Sequence, residues 1–247
     1  MNASARTAWL ALCLVPVLAL GACGSDVGDE DAASGGETAA DGTGGGETTG
    51  GEGGDETPPP GPDDAWIGAD QCIGPLVTAS VEATTGTPSE CPTCIGSPLP
   101  DWTARDANPL SCGYGHTYGL DAFEGDVQLV VLLSAGCSYC LQQMIYFEQL
   151  RYELDAGGHA VDFATVNLSS MASRVNNMTD RASFAIFQDT DALGLWDAMG
   201  GRKDDIYIYR DGVLVDLLPV GGGRSTNLST EEGYANVRQA VLDALDG

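Results

Sequence analysis

Cys137 and Cys140 stand three residues apart in Cys137-Ser-Tyr-Cys140. Two thiols at this spacing can form, attack and resolve disulfides. The first would sit where a buried strand meets a helix. A thiol there faces the unpaired N–H groups and positive dipole end of the helix. Both favour thiolate, and such cysteines titrate at roughly 3.5–7.5 instead of about 8.5. Cys137 is therefore read as the attacking thiol. Cys140, one turn further in, is read as the resolving one.

The elements that must hold this pair are legible in the hydrophobic pattern. Residues 128–134 (Gln-Leu-Val-Val-Leu-Leu-Ser) form an apolar run bounded by Gly125 and Gly136, as expected of a strand buried on both faces. From Ser138 a helical period takes over, with Met144, Phe147, Arg151 and Leu154 on one side and Leu141, Ile145 and Glu148 beside them. Gly157-Gly158 ends it. The pattern predicts a strand over 161–168, a short helix over 170–176, a strand over 184–188 and a helix over 191–199. It then predicts a hairpin, 205–210 and 213–218, across the Asp211-Gly212 turn that right-twisted strands prefer. Ser229-Thr-Glu-Glu232 reads as a capping box opening a final helix over 230–245. Strands alternating with helices predict an α/β sandwich around a central mixed β-sheet flanked by helices.

Upstream of this the composition changes. The 247 residues carry 36 Asp+Glu against 10 Lys+Arg, a net charge of −26, and Lys203 is the only lysine. That balance excludes nucleic-acid binding through phosphate neutralisation. Residues 1–22 read as a signal peptide: Arg6, an apolar stretch from Ala8 to Leu20, then small residues before Cys23. Residues 23–63 read as a disordered tether. The 40 residues from Gly24 on hold 13 Gly, 11 acids and no basic residue, with Val27 as the only large apolar side chain. A neutral Gly-rich coil of that length would span roughly 35 Å, and like charge lengthens it.

Residues 64–115 form a loop-rich extension holding Cys72, Cys91, Cys94 and Cys112. In an oxidising compartment these four are expected to form two structural disulfides, with three pairings open. Zinc would want two CxxC knuckles, and this segment holds only Cys91-Pro-Thr-Cys94. That pair could instead relay electrons to Cys137/Cys140. His116 and His159 stand alone and are read as surface or hydrogen-bonded residues, so no metal or other cofactor is expected.

Several of these segments resemble known families. Leu20-Gly21-Ala22-Cys23 is similar to the bacterial lipobox, which implies acylation of Cys23 and a membrane anchor. With Gly at 24, the sorting rule of Gram-negative lipoproteins implies the outer membrane. Residues 96–247 resemble the thioredoxin-like superfamily in its TlpA/redoxin branch. The resemblance rests on Pro98-Leu-Pro-Asp-Trp102, Leu120-Asp-Ala-Phe123-Glu-Gly125, the strand with Cys137-x-x-Cys140, Phe184 to Asp189, and Arg210-Asp-Gly212. It implies thiol–disulfide exchange with protein thiols and disulfides of the cell envelope. The alternative is a binding module of the same fold with a structural CxxC. Three places depart from the family pattern. Gly136 replaces the usual Trp, and Lys203 to Asp205 stand where the family has a cis-Pro. The strand over 128–134 holds no acid. Asp204 or Asp205 could approach the thiols and would raise their pKa, but a solvated strand start is expected there. No His follows His159 to complete a copper site, and the peroxiredoxin Pro and Thr pattern is missing.

Overall fold

The computed structural model describes residues 72–247. Cys23, the signal peptide and the tether lie outside the described residues. The strands are β1 (Ala104–Arg105), β2 (Thr117–Tyr118), β3 (Val127–Leu133), β4 (Val161–Asn167), β5 (Ala185–Gln188), β6 (Ile206–Arg210) and β7 (Val213–Leu218). The helices are α1 (Ser138–Ala156), α2 (Asn176–Thr179), α3 (Leu195–Met199) and α4 (Glu231–Asp246).

The five longer strands form one sheet in the order β5-β4-β3-β6-β7. β3 lies at its centre, parallel to β4 and antiparallel to β6, and every one of its residues is buried. Alternate residues of β3 feed two cores. Val127, Leu129, Val131 and Leu133 pack with Met144, Phe147, Leu150 and Leu154 of α1 and with Val237 and Val241 of α4. Val130 and Leu132 point the other way, into a core with Trp102, Tyr118, Leu120, Phe123, Leu195 and Met199. This is the thioredoxin-like arrangement, a central mixed sheet with helices on both faces.

Residues 98–123 are more than a loop-rich appendage, because they supply much of the second core. Trp102 is fully buried and meets Phe187 edge-on at 5.0 Å. Asp106 is buried and accepts hydrogen bonds from the Tyr118 hydroxyl (2.7 Å) and from the N–H groups of Asn108 (3.0 Å) and Ile186 (3.2 Å). Asn108 donates to Ala182 O and Phe184 O, which ties the segment to the edge of the sheet at β5. The structure pairs Cys72 with Cys112 and Cys91 with Cys94. Loop-closure entropy makes the first bond, at a separation of 40, worth about 4 kcal/mol, and the second, at a separation of 3, about 2.

Three local expectations shift. The cap of α4 moves by one residue. Thr230, not Ser229, accepts from the Gly233 N–H (3.1 Å), while the Ser229 hydroxyl turns back to Asn227 (2.6 Å). α3 starts only at Leu195, because Gly194 takes a left-handed φ of 57° and the buried Asp189 carboxylate caps the Leu195 N–H at 2.9 Å. The short helix after β4 divides into a 3-10 turn, Ser169–Arg174, and α2, with Met171 non-helical between turns.

Candidate active site

The thiols stand at the carboxyl end of β3. The chain leaves Leu133, passes Ala135 and Gly136, and enters α1 with Cys137 as its N-cap residue. The Cys137 sulfur accepts the Cys140 N–H at 3.3 Å. The turn is pinned from both sides. Asn167, at the end of β4, accepts the Ala135 N–H (2.9 Å), and the Asn177 amide donates to Ala135 O (3.2 Å). Gly136 stands where the family pattern has Trp, and a Cβ there would come within 2.5 Å of the Met171 sulfur. Met171 therefore covers the place that a side chain at 136 would take.

The two sulfurs, both reduced, sit in different surroundings. Cys137 is half-buried and Cys140 is fully buried. The segment just before β6 brings a charge of opposite sign to each. The Lys203 ammonium donates to the Cys137 sulfur at 3.5 Å, and the Cys140 thiol donates to the Asp204 carboxylate at 3.2 Å. Lys203 and Asp204 also pair with each other at 3.8 Å.

Lys203 to Asp205 stand where the thioredoxin-like resemblance implies a cis-Pro, and among the described residues no peptide bond is cis. Backbone pairing puts them there. The Asp204 N–H donates to Leu132 O (2.7 Å) and the Leu132 N–H to Asp205 O (3.1 Å), carrying the β3–β6 ladder up to the thiols. Asp204 takes a left-handed φ of 73°, which Asp tolerates better than most residues. The expected solvated strand start is thus corrected: Asp204 and Asp205 are 8% and 4% exposed. Burial is possible because each carboxylate finds donors. The Asp205 carboxylate accepts the N–H groups of Arg202 and Val220, both at 2.7 Å, tying the segment to the loop after β7.

The electrostatics follow from this placement. Partial burial works against the Cys137 thiolate, but the Cys140 thiol and N–H and the Lys203 ammonium outweigh it and hold its pKa below the ordinary value. Burial, the hydrogen bond with Cys137 and the neighbouring Asp204 push the Cys140 thiol far up. Burial also raises the Asp204 carboxyl, against the opposing pull of the Cys140 thiol and Lys203. The arrangement eases ionisation of the Cys137 sulfur and holds Cys140 protonated beside a carboxylate able to take its proton.

Cys72, Cys91, Cys94 and Cys112 are not among the groups bonded to these sulfurs; they form two disulfides among themselves. His116 contacts Ser80 at 3.3 Å, and His159 lines a cleft with Arg151 and Asp162. Neither touches a thiol. Sequence reasoning passed over Asn167, Asn177 and Met171, which shape the turn. Polar Asn167 ending a predicted strand beside an active turn was the available signal.

The model of the family described as Selenoprotein P, N terminal region, matches residues 90–220, more than half of the chain. The chain belongs to that family. Residues 90–220 include both CxxC pairs, Lys203 and Asp204, but not Cys23. This selenoprotein P N-terminal match differs from the TlpA/redoxin branch that the motifs resemble. Among curated relatives, Selenoprotein P of Bos taurus is 29% identical over 150 residues, covering 58% of this chain and 35% of that protein. Selenoprotein P of Mus musculus is 32% identical over 123 residues, covering 47% and 30%. The chain thus spans about a third of the length of the curated relatives it matches. Similar solved structures include a putative protein disulfide isomerase from Bacteroides thetaiotaomicron, with a TM-score of 0.48 and 15% identity over 66% of this chain and 95% of that one. Another is a putative thiol:disulfide interchange protein DsbE from Chlorobium tepidum, with a TM-score of 0.46 and 17% identity over 62% and 98%.

Proposed function

We propose that the protein is a thiol–disulfide oxidoreductase acting on protein thiols and disulfides through Cys137 and Cys140. The observation that carries this reading is the opposite charge placed on each sulfur, Lys203 on Cys137 and Asp204 on Cys140. In the reducing direction, the Cys137 thiolate attacks one sulfur of a partner disulfide. A mixed disulfide forms, and the other partner sulfur leaves as thiolate and takes a proton from solvent. The Cys140 thiol then gives its proton to Asp204, and its sulfur attacks the Cys137 sulfur. The partner's second thiolate is released, and Cys137–Cys140 is left oxidised, two electrons having passed to the partner. The oxidising direction is the reverse.

Trapping tests the division of labour. Cys140→Ser lacks the resolving thiol and should accumulate mixed disulfides with partner proteins; Cys137→Ser should accumulate none. Equal trapping by both variants would overturn the assignment. The reading that competes is a binding module with a structural CxxC, favoured by Gly136 and the missing cis-Pro.

The place of action follows from the N-terminus. Leu20-Gly21-Ala22-Cys23 supports a lipid anchor on Cys23 in a bacterial envelope, with Gly24 favouring the outer membrane. The acidic segment to residue 63 then acts as the spacer between membrane and domain. Intact-mass measurement of the mature protein should find an acylated Cys23 at its N-terminus; an unmodified Cys23 would contradict the anchor.

A further inference from the structure

Cys91 and Cys94 share the spacing of the site above and take no part in it. Their disulfide constrains the unfolded chain about half as strongly as Cys72–Cys112, since the separation is 3 instead of 40. The turn that carries it is held by other bonds. The Cys94 N–H donates to Cys91 O at 3.1 Å, and the Ser97 N–H to Cys94 O at 3.0 Å. The Ser97 hydroxyl donates to Cys91 O, and the Cys91 N–H to the Ser89 hydroxyl at 3.4 Å. Pro92 fixes its own φ and sits against Gly200, where even a Cβ would come within 2.8 Å of its ring. Opening the S–S bond therefore leaves a framework that keeps the two sulfurs close enough to re-form it. Access is open as well. Cys94 is exposed and Cys91 half-exposed, and a cleft of about 250 Å³, lined by Pro92, Pro98, Leu99 and Met199 among others, adjoins the turn.

We propose that Cys91–Cys94 is a second, reversible redox site that exchanges electrons with a dithiol, independently of Cys137 and Cys140. A thiolate of the dithiol attacks the Cys94 sulfur. The Cys91–Cys94 bond breaks, a mixed disulfide forms on Cys94, and Cys91 leaves as thiolate and takes up a proton. The second thiol of the dithiol loses its proton and attacks the sulfur that its first thiol placed on Cys94. Cys94 is released and protonated, and the dithiol departs as a disulfide. Two electrons enter the pair; the reverse sequence returns them.

The test uses the full chain with Cys137→Ser and Cys140→Ser, so that failure of the oxidoreductase reading cannot affect the result. The protein is equilibrated in graded ratios of reduced to oxidised dithiothreitol, quenched with N-ethylmaleimide, and mapped by mass. Cys91 and Cys94 should label together at ratios where less than a tenth of Cys72 and Cys112 is labelled. The label should vanish when oxidised dithiothreitol is restored before quenching, and the far-ultraviolet circular dichroism should not change. Labelling only in step with Cys72 and Cys112, only with loss of the dichroism signal, or without return on re-oxidation would overturn the proposal. If the double variant does not fold, wild-type protein with Cys137 blocked by iodoacetamide is titrated in the same way, with the same deciding outcomes.

Discussion

The molecule carries two Cys-x-x-Cys pairs in opposite settings. Cys137 and Cys140 begin a 19-residue helix, reduced, with Lys203 on one sulfur and Asp204 on the other. Cys91 and Cys94 close a proline turn, bonded to each other, and among the described residues no charged group hydrogen-bonds to either sulfur. The spacing brings two sulfurs within bonding reach in both places. The difference in chemistry comes from what surrounds them. A helix N-terminus and a fixed cation lower a thiol pKa; the proline turn offers its sulfurs neither and holds them in a disulfide.

The comparison breaks most sharply at turnover. In an insulin-reduction assay, Cys137→Ser should abolish activity, a loss of at least about a hundredfold for removal of the nucleophile. Cys91→Ser should change it less than twofold. A comparable loss from Cys91→Ser would mean that electrons pass through the turn to reach Cys137, and the two pairs would have to be treated as one system.

Stability should separate the disulfides next. Cys112→Ser removes the long crosslink and should lower Tm by roughly 10 °C, from about 4 kcal/mol at 2–4 °C per kcal/mol. Cys94→Ser should lower it by less than half as much, because the backbone and Ser97 bonds of the turn remain. Equal losses would show that the short disulfide holds the turn.

A smaller effect probes the proton acceptor. Asp204→Asn keeps the shape beside Cys140 but removes the base. Release of the mixed disulfide at pH 7 should slow several-fold. The same change removes a negative neighbour that raises the Cys140 pKa. Cys140 then ionises more readily as pH rises, so the deficit should close in alkaline buffer. A deficit that stayed constant with pH would point to altered packing instead of lost proton transfer.

Much of the site's scaffold was legible in the sequence. The run from 128 to 134 is apolar at both parities because β3 is buried on both faces, and Asp211-Gly212 takes the positive φ values, 50° and 76°, that its turn demands. Residues 98–123 were harder to place, because their burial comes from contacts such as Trp102 with Phe187 and Asp106 with Ile186, which no local period encodes. The charged half of the site lies further still along the chain. Cys140 meets Asp204 across 64 residues and Cys137 meets Lys203 across 66. Asp204 and Asp205 looked solvated because two adjacent acids at a strand start usually are, and only the antiparallel register of β6 on β3 carries them inward. The one available hint was that the chain's single lysine directly precedes those acids.

The central claim is that the Cys140 contacts at the helix start and Lys203 favour the Cys137 thiolate while burial and Asp204 keep Cys140 protonated. Its most direct test is the rate of iodoacetamide alkylation against pH on reduced Cys140→Ser and Cys137→Ser, each with and without Lys203→Met. Only thiolate reacts, so the rate falls about tenfold per pH unit below the pKa. The account predicts that Cys137 alkylates with a midpoint below about 8.5. Lys203→Met should move that midpoint upward and slow the reaction at pH 7 several-fold. Cys140 should stay nearly inert until well above 8.5. Two thiols with equal midpoints near 8.5 or higher, unmoved by Lys203→Met, would contradict it.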